Sequence, residues 1–361
     1  MPNFSNPALE NLIKLAIQNG ASDIHLNSGT LAALRVHGEL NYVRDTGIFT
    51  YEALQRFITE ILKPSQLEKF MQTGDLDFSF TYEKQRFRGS AYREMRGVSL
   101  TFRLVPSVIK TLDELGQPQI LKTMAEKHRG LFLATGPTGH GKSSTLAAII
   151  SEINRTRKAH IVTIEDPIEY IHTPAISVIH QREIGTDKEN FASGIKHVLR
   201  QDPDVIMIGE MRDLETISAA ITAAETGHLV FGTLHTQDAS QSIERIVDVF
   251  PPHQQNQIRL QLSYVLLGIC SQQLIPTKDV KGRVCATEIL ITTPAIRASI
   301  REGKVSSIRN ALLTGMSFGM HTMEQDLARL FREGKISRET AKSFAYDPAE
   351  LERALTMQFP F

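Results

Sequence analysis

Leu131-Phe132-Leu133-Ala134-Thr135-Gly136-Pro137-Thr138-Gly139-His140-Gly141-Lys142-Ser143 is an apolar run that delivers the chain into G-x-x-x-x-G-K-[ST], with a segment rich in Ala, Leu and Ile after it. Strand, glycine loop and helix in that order form a phosphate-binding loop. Glycines let backbone N–H groups converge on phosphate oxygens without a Cβ in the way, and the N-terminus of the following helix adds positive potential. Lys142 is expected to reach the β and γ phosphates of a nucleotide, and Ser143 to ligate Mg²⁺. The candidate binding set is Gly136, Pro137, Thr138, Gly139, His140, Gly141, Lys142, Ser143 and Ser144. Chance would produce the pattern in on the order of one chain in a hundred of this length, and the strand-before, helix-after context makes chance rarer still.

Outward from the loop, short apolar runs at Ile161–Ile164, Val205–Ile208 and Leu229–Gly232 alternate with helical segments. That alternation predicts an α/β core with a parallel sheet and helices on both faces. Two of these runs end in acid. Ile161–Ile164 leads into Glu165, Asp166 and Glu169 at the carboxyl end of a strand, where ligands of open α/β sheets bind. A carboxylate there can orient or deprotonate an attacking water, although capping and turn formation account for such a cluster equally well. Val205–Ile208 leads into Gly209-Glu210, the form of a Walker B element in which Glu210 serves the Mg²⁺ shell. Gly227-His228 and Leu234-His235 put a histidine at each end of a third run, seven residues apart. The two are too far apart for one metal, but one could sense phosphate and the other a neighbouring subunit; a purely structural role also fits a strand-end histidine.

Upstream, residues 1–105 read as a small α+β domain. Asn6 and Pro7 open a helix that presents Leu9, Leu12, Ile13 and Ala16 on one face and stops at Gly20; a second helix spans about Thr50–Leu62, with Pro64 beyond its end. Strand-like stretches follow at Leu34–Leu40, Asp75–Thr81, Arg86–Tyr92 and Val98–Leu104. Val105-Pro106-Ser107 begins a linker, taken as 106–112; the nucleotide-binding domain is taken as 113–290, and helical periodicity marks 291–361. Lys plus Arg and Asp plus Glu are both 40, so no basic surplus signals nucleic-acid binding. The two cysteines, Cys270 and Cys285, can build neither a disulfide framework nor a four-Cys zinc site, and a reducing cytoplasm suits them. Met1-Pro2-Asn3-Phe4 lacks the basic start and apolar run of a signal peptide, and no 18 consecutive apolar residues occur. Membrane contact is therefore expected only through partners.

As an ordered set, Ala21-Ser22-Asp23-Ile24-His25-Leu26, the phosphate loop, the acidic segment Glu165–Glu169, Glu210 and the histidine motif ending at His235 resemble the secretion ATPase superfamily of type II secretion and type IV pilus motors. Within it they resemble the retraction ATPase family. The resemblance implies a PAS-like N-terminal domain, a RecA-like ATPase domain and a homohexameric ring that hydrolyses ATP with Mg²⁺ to power pilus retraction. It implies Glu169 as the catalytic carboxylate and Glu210 as the Walker B residue, with Lys142 and His235 in the catalytic set and Glu165 and His228 at the nucleotide. Arg88, Arg96 and Arg103 are expected to reach phosphates from N-terminal strands, although Arg93 and Glu94 depart from the family's uncharged segment there. It further implies an inner-membrane platform protein as partner, a paralogous motor ATPase as another, and a cytoplasmic protein peripheral to the inner membrane. Assembly ATPases usually carry an extra N-terminal domain and a four-Cys zinc motif, which this chain does not show; that favours retraction. Pro294-Ala295-Ile296-Arg297-Ala298-Ser299-Ile300-Arg301-Glu302 is similar to the retraction signature, with Ala298-Ser299 in place of Asn-Leu. That departure, and His140 where the family has Ser or Thr, leave room for a divergent accessory paralogue; a type IV secretion ATPase is a further alternative, which would differ by a C-terminal region lacking the Ala-Ile-Arg motif. Ala295, Ile296, Ser299 and Ile300 are expected on the packed face of this helix, and Arg297 and Arg301 on a solvated edge.

Overall fold

The computed structural model describes residues 6–356 except 37, 84, 107, 186, 188, 189, 280 and 281; the Met1–Phe4 start and linker residue Ser107 lie outside the described residues. Two compact units form. The first runs to Val108 and takes in Glu169–Ile171, and the second holds Ile109–Ile168 and the chain from His172 onward.

The first unit contains α1 (Pro7–Gln18), β1 (Asp23–Asn27), β2 (Thr30–Val36), β3 (Glu39–Phe49), α2 (Tyr51–Ile61), α3 (Pro64–Thr73), β4 (Asp75–Tyr82), β5 (Gln85–Glu94) and β6 (Gly97–Leu104). Its sheet is antiparallel in the order β3-β2-β1-β6-β5-β4. The Asn6 side chain accepts from Ala8 N–H and starts α1, whose Leu9, Leu12, Ile13 and Ala16 are buried in the core. Phe80 stacks on Phe87 at 5.0 Å and meets Phe102 edge-on at 5.2 Å in the middle of that core. Three expectations change. Leu34–Leu40 is two strands, because Gly38 adopts φ +89° and turns the chain between β2 and β3. Pro64 starts a further helix, α3, as its missing N–H costs nothing in a first turn. Arg96 lies in the tight turn joining β5 to β6 and not in a strand.

The second unit contains α4 (Ile120–Ala125), β7 (Gly130–Thr135), α5 (Lys142–Thr156), β8 (His160–Glu165), β9 (Val178–Glu183), α6 (Phe191–Val198), β10 (Val205–Ile208), α7 (Leu214–Glu225), β11 (Leu229–Leu234), α8 (Ala239–Asp248), α9 (Pro252–Val265), β12 (Leu266–Pro276), β13 (Arg283–Ile291), α10 (Pro294–Glu302), α11 (Val305–Thr314), α12 (Met323–Arg332), α13 (Arg338–Phe344) and α14 (Pro348–Thr356). The sheet order is β13-β12-β7-β11-β10-β8-β9, and every adjacent pair is parallel except β12 with the edge strand β13. Successive strand residues feed opposite cores: Leu131, Leu133, Val162, Ile164, Ile206 and Ile208 join one side with α6–α11, while Phe132, Ala134, Ile161, Val205 and Met207 join the other with α4 and α5. Burial on both faces is why these strands read as unbroken apolar runs.

Residues 291–361, expected as a separate helical region, belong to this second unit over their described length. Thr287 of β13 donates through N–H and Oγ1 to the buried carboxylate of Asp326 on α12, and Ile275 and Ala286 pack with Met323 and Leu327. Cys270 and Cys285 are free and buried in β12 and β13, where burial pushes the Cys285 thiol up to about 12. Among the described residues no helix is long and apolar enough to cross a membrane.

Candidate phosphate-binding site

β7 ends at Thr135, and the loop from Gly136 to Gly141 carries the chain into α5 at Lys142. Gly136 has φ +135°, and a Cβ there would lie 2.4 Å from the Gln272 carbonyl oxygen of β12, so only glycine fits. Thr135 Oγ1 donates to Ser271 Oγ at 2.8 Å just beneath. The Lys142 ammonium curls over the loop and donates to the carbonyls of Gly136 at 2.8 Å and Pro137 at 2.9 Å. Burial holds the Lys142 pKa below its usual range, and the Glu210 carboxylate opposes that shift. Ser143 is exposed in the first turn of α5, and Ser144 is half-buried beside it.

The carboxyl ends of the neighbouring parallel strands β10 and β11 bring further side chains to this edge. His235 Nε2 meets Glu210 Oε1 at 2.6 Å, and His235 Nδ1 lies 3.4 Å from Thr138 Oγ1 in the loop. Arg212 Nε also donates to Glu210 Oε1. The histidine thus links the loop to the carboxylate at the end of β10. Gly209 is tight: a Cβ would sit 3.2 Å from Glu165 Cα and 3.3 Å from Ile164 O, so a side chain there would crowd the end of β8. Glu165 is buried next door, and its Oε1 accepts from Thr163 Oγ1 at 2.7 Å and Gln181 Nε2 at 3.2 Å.

Other candidates lie elsewhere. His228 precedes β11 at its far end, roughly 23 Å from His235 along the strand. There its Nδ1 lies 2.9 Å from the Ala223 carbonyl and 3.1 Å from Thr226 Oγ1, so it closes the end of α7 and does not join the loop. In the first unit, Arg88 Nη1 stands 3.8 Å from Glu169 Oε1, while Arg103 Nε donates to the buried Asp23 at 2.8 Å. Arg96 is exposed in its turn. Sequence reasoning missed Arg212, Gln272 and Leu274. The signal for the last two was the polar trio Ser271-Gln272-Gln273 inside an otherwise apolar run, which marks a strand with something polar to serve.

The model of the Type II/IV secretion system protein family matches residues 3–323. The chain is 46% identical over 310 residues to the twitching motility protein of Neisseria gonorrhoeae, covering 86% of this chain and 83% of the relative. It is 44% identical over 338 residues to the type IV pilus retraction ATPase PilT of Pseudomonas aeruginosa, covering 93% and 98%. A crystal structure of the pilus retraction motor PilT with bound ADP superposes with a TM-score of 0.89 at 43% identity, over 95% of this chain and 98% of that one. With the family model matching residues 3–323 and relatives similar over nearly the whole length, this chain belongs to the Type II/IV secretion system protein family.

Proposed function

We propose that this chain is an ATPase motor that hydrolyses ATP to ADP and phosphate and powers type IV pilus retraction, and hence twitching motility. The observation that carries the reading is an intact phosphate loop in a chain similar over nearly its full length to a retraction motor with bound ADP.

In this reading Gly136–Ser144 cradle the phosphates, Lys142 offsets the charge that develops on the β and γ oxygens, and Ser143 with Glu210 would hold Mg²⁺. Exposed Ser143 in the first turn of α5, in the unit where Glu210 ends β10, suits a hard cation with oxygen ligands. Mg²⁺, when bound, screens the phosphate oxygens. His235 holds the Glu210 carboxylate in place, Glu165 supports the same strand ends, and Glu169 is the carboxylate that orients or deprotonates the attacking water. Arg88, Arg96 and Arg103 are the candidate phosphate-reaching arginines. Arg212, the arginine this core brings beside the loop, is already paired with Glu210, which supports a homohexamer in which a neighbour contributes the phosphate-reaching cation. The functional parts are 1–105, a linker at 106–112, 113–290 and 291–361. Retraction implies a cytoplasmic ring at the inner membrane, with a pilus platform protein and a paralogous motor ATPase as partners.

The test is ATP turnover by the purified chain with Mg²⁺, beside Lys142→Ala, together with pilus retraction in cells lacking the chain. Lys142→Ala is expected below a tenth of wild-type turnover; a variant above that level, or normal retraction in the deletion, overturns the reading.

A further inference from the structure

The tip of the loop is tied to β12 through His140. Leu274 N–H donates to His140 Nδ1 at 3.1 Å, and Gln272 Nε2 donates to the His140 carbonyl at 2.8 Å. Gln272 is buried and lies under both ends of the loop: its carbonyl oxygen would be 2.4 Å from a Cβ on Gly136, and its Nε2 3.1 Å from one on Gly141. The location follows from the sheet. β7 ends at Thr135 opposite Ser271, so beyond that point β12 has no strand on this flank, and the backbone donor of Leu274 finds the imidazole instead.

We propose that His140 is a positioning residue that latches the phosphate loop onto β12, so that the cradle is formed before nucleotide arrives. The proposal rests on the reading that this loop binds ATP. Gly136, Gly139 and Gly141 all have positive φ, and a loop so rich in glycine loses much conformational freedom on ordering. A latch that restrains the loop beforehand lowers that cost at binding. The imidazole must accept at Nδ1, so it must be neutral there; an imidazolium would set an N–H against the Leu274 N–H. Burial, then the charges of Lys142 and of Arg283 on β13, hold its pKa below the usual range, and β12 offers only the uncharged Gln272, Gln273 and Leu274.

Titration of the purified full chain with a fluorescent ADP analogue and Mg²⁺ tests this on three variants. His140→Ala removes the acceptor. His140→Asn keeps an acceptor the same number of bonds from the backbone, and His140→Gln moves it one bond outward. His140→Ala and His140→Gln should weaken binding about tenfold, in line with one lost hydrogen bond, while His140→Asn stays within about threefold of wild type. In turnover the loss should fall on KM more than on kcat. Binding by His140→Ala within twofold of wild type, or equal losses in Ala and Asn, overturns the latch. A wild-type chain that binds no ADP overturns the nucleotide reading as well, so the two failures are distinct.

Discussion

Arg297 and Arg301, four residues apart on α10, should differ sharply in what they contribute to stability. Both were expected on a solvated basic edge, but the Arg297 Nη1 donates to the carbonyls of Ser263 at 2.6 Å and Tyr264 at 2.8 Å. Those carbonyls lie in the last turn of α9, where they have no partner within the helix and the helix dipole favours a cation. A charge-assisted hydrogen bond is worth about 1.5–3 kcal/mol net, and half-buried Arg297 leaves water room to replace part of it. Arg297→Ala should therefore cost about 1–2 kcal/mol. For a unit of this size that is roughly 2–8 °C in Tm. Arg301 is exposed at the end of the same helix, and Arg301→Ala should stay within about 0.5 kcal/mol. Differential scanning calorimetry of the two single variants measures this directly. Equal Tm values, or a larger drop for Arg301→Ala, would refute the carbonyl cap. The difference also decides how to test coupling of α10 to pilus retraction: Arg301→Ala removes charge alone, whereas loss of retraction in Arg297→Ala would mix coupling with a loosened α9–α10 contact.

Glu169→Gln should bind nucleotide nearly as wild type while hydrolysing it far more slowly, since the amide keeps the shape and loses the base; parallel loss of binding and turnover would assign Glu169 a structural part. Fully buried Glu288 accepts from Ala239 N–H, and burial raises its pKa from 4.5 to about 8. The unfolded chain then releases this proton at lower pH than the folded one, so stability falls as pH rises from 4.5 to about 8. Glu288→Gln should accordingly gain in Tm over wild type across that window, and a gap that does not widen from pH 5 to pH 8 counts against the protonated carboxyl. Sedimentation with Mg²⁺ and nucleotide should give a hexamer, with turnover rising as the chain assembles; a fully active monomer would overturn the need for a neighbour's arginine.

What the sequence determined by itself is local. Asn6-Pro7 opening α1, the buried runs of β7, β8, β10 and β11, and the glycine loop before Lys142 depend on propensity, periodicity and backbone freedom over a few residues, and each is present where the pattern put it. The strands β9, β12 and β13 were not legible, because β9 is a half-exposed edge strand of mixed polar residues and the buried runs of β12 and β13 are interrupted by Ser271, Gln272 and Gln273 and by Thr287 and Glu288. Partners were not legible either. His140 meets Leu274 134 residues on, Asp23 meets Arg103 80 residues on, and Arg297 reaches back 34 residues to Ser263. Residue type announces that a histidine or arginine can donate or accept; which backbone group it satisfies depends on where sheet order and helix packing leave a donor or carbonyl unmatched. That is why His228, by spacing a twin of His235, closes a helix at one end of β11, while His235 joins Glu210 and Thr138 at the other.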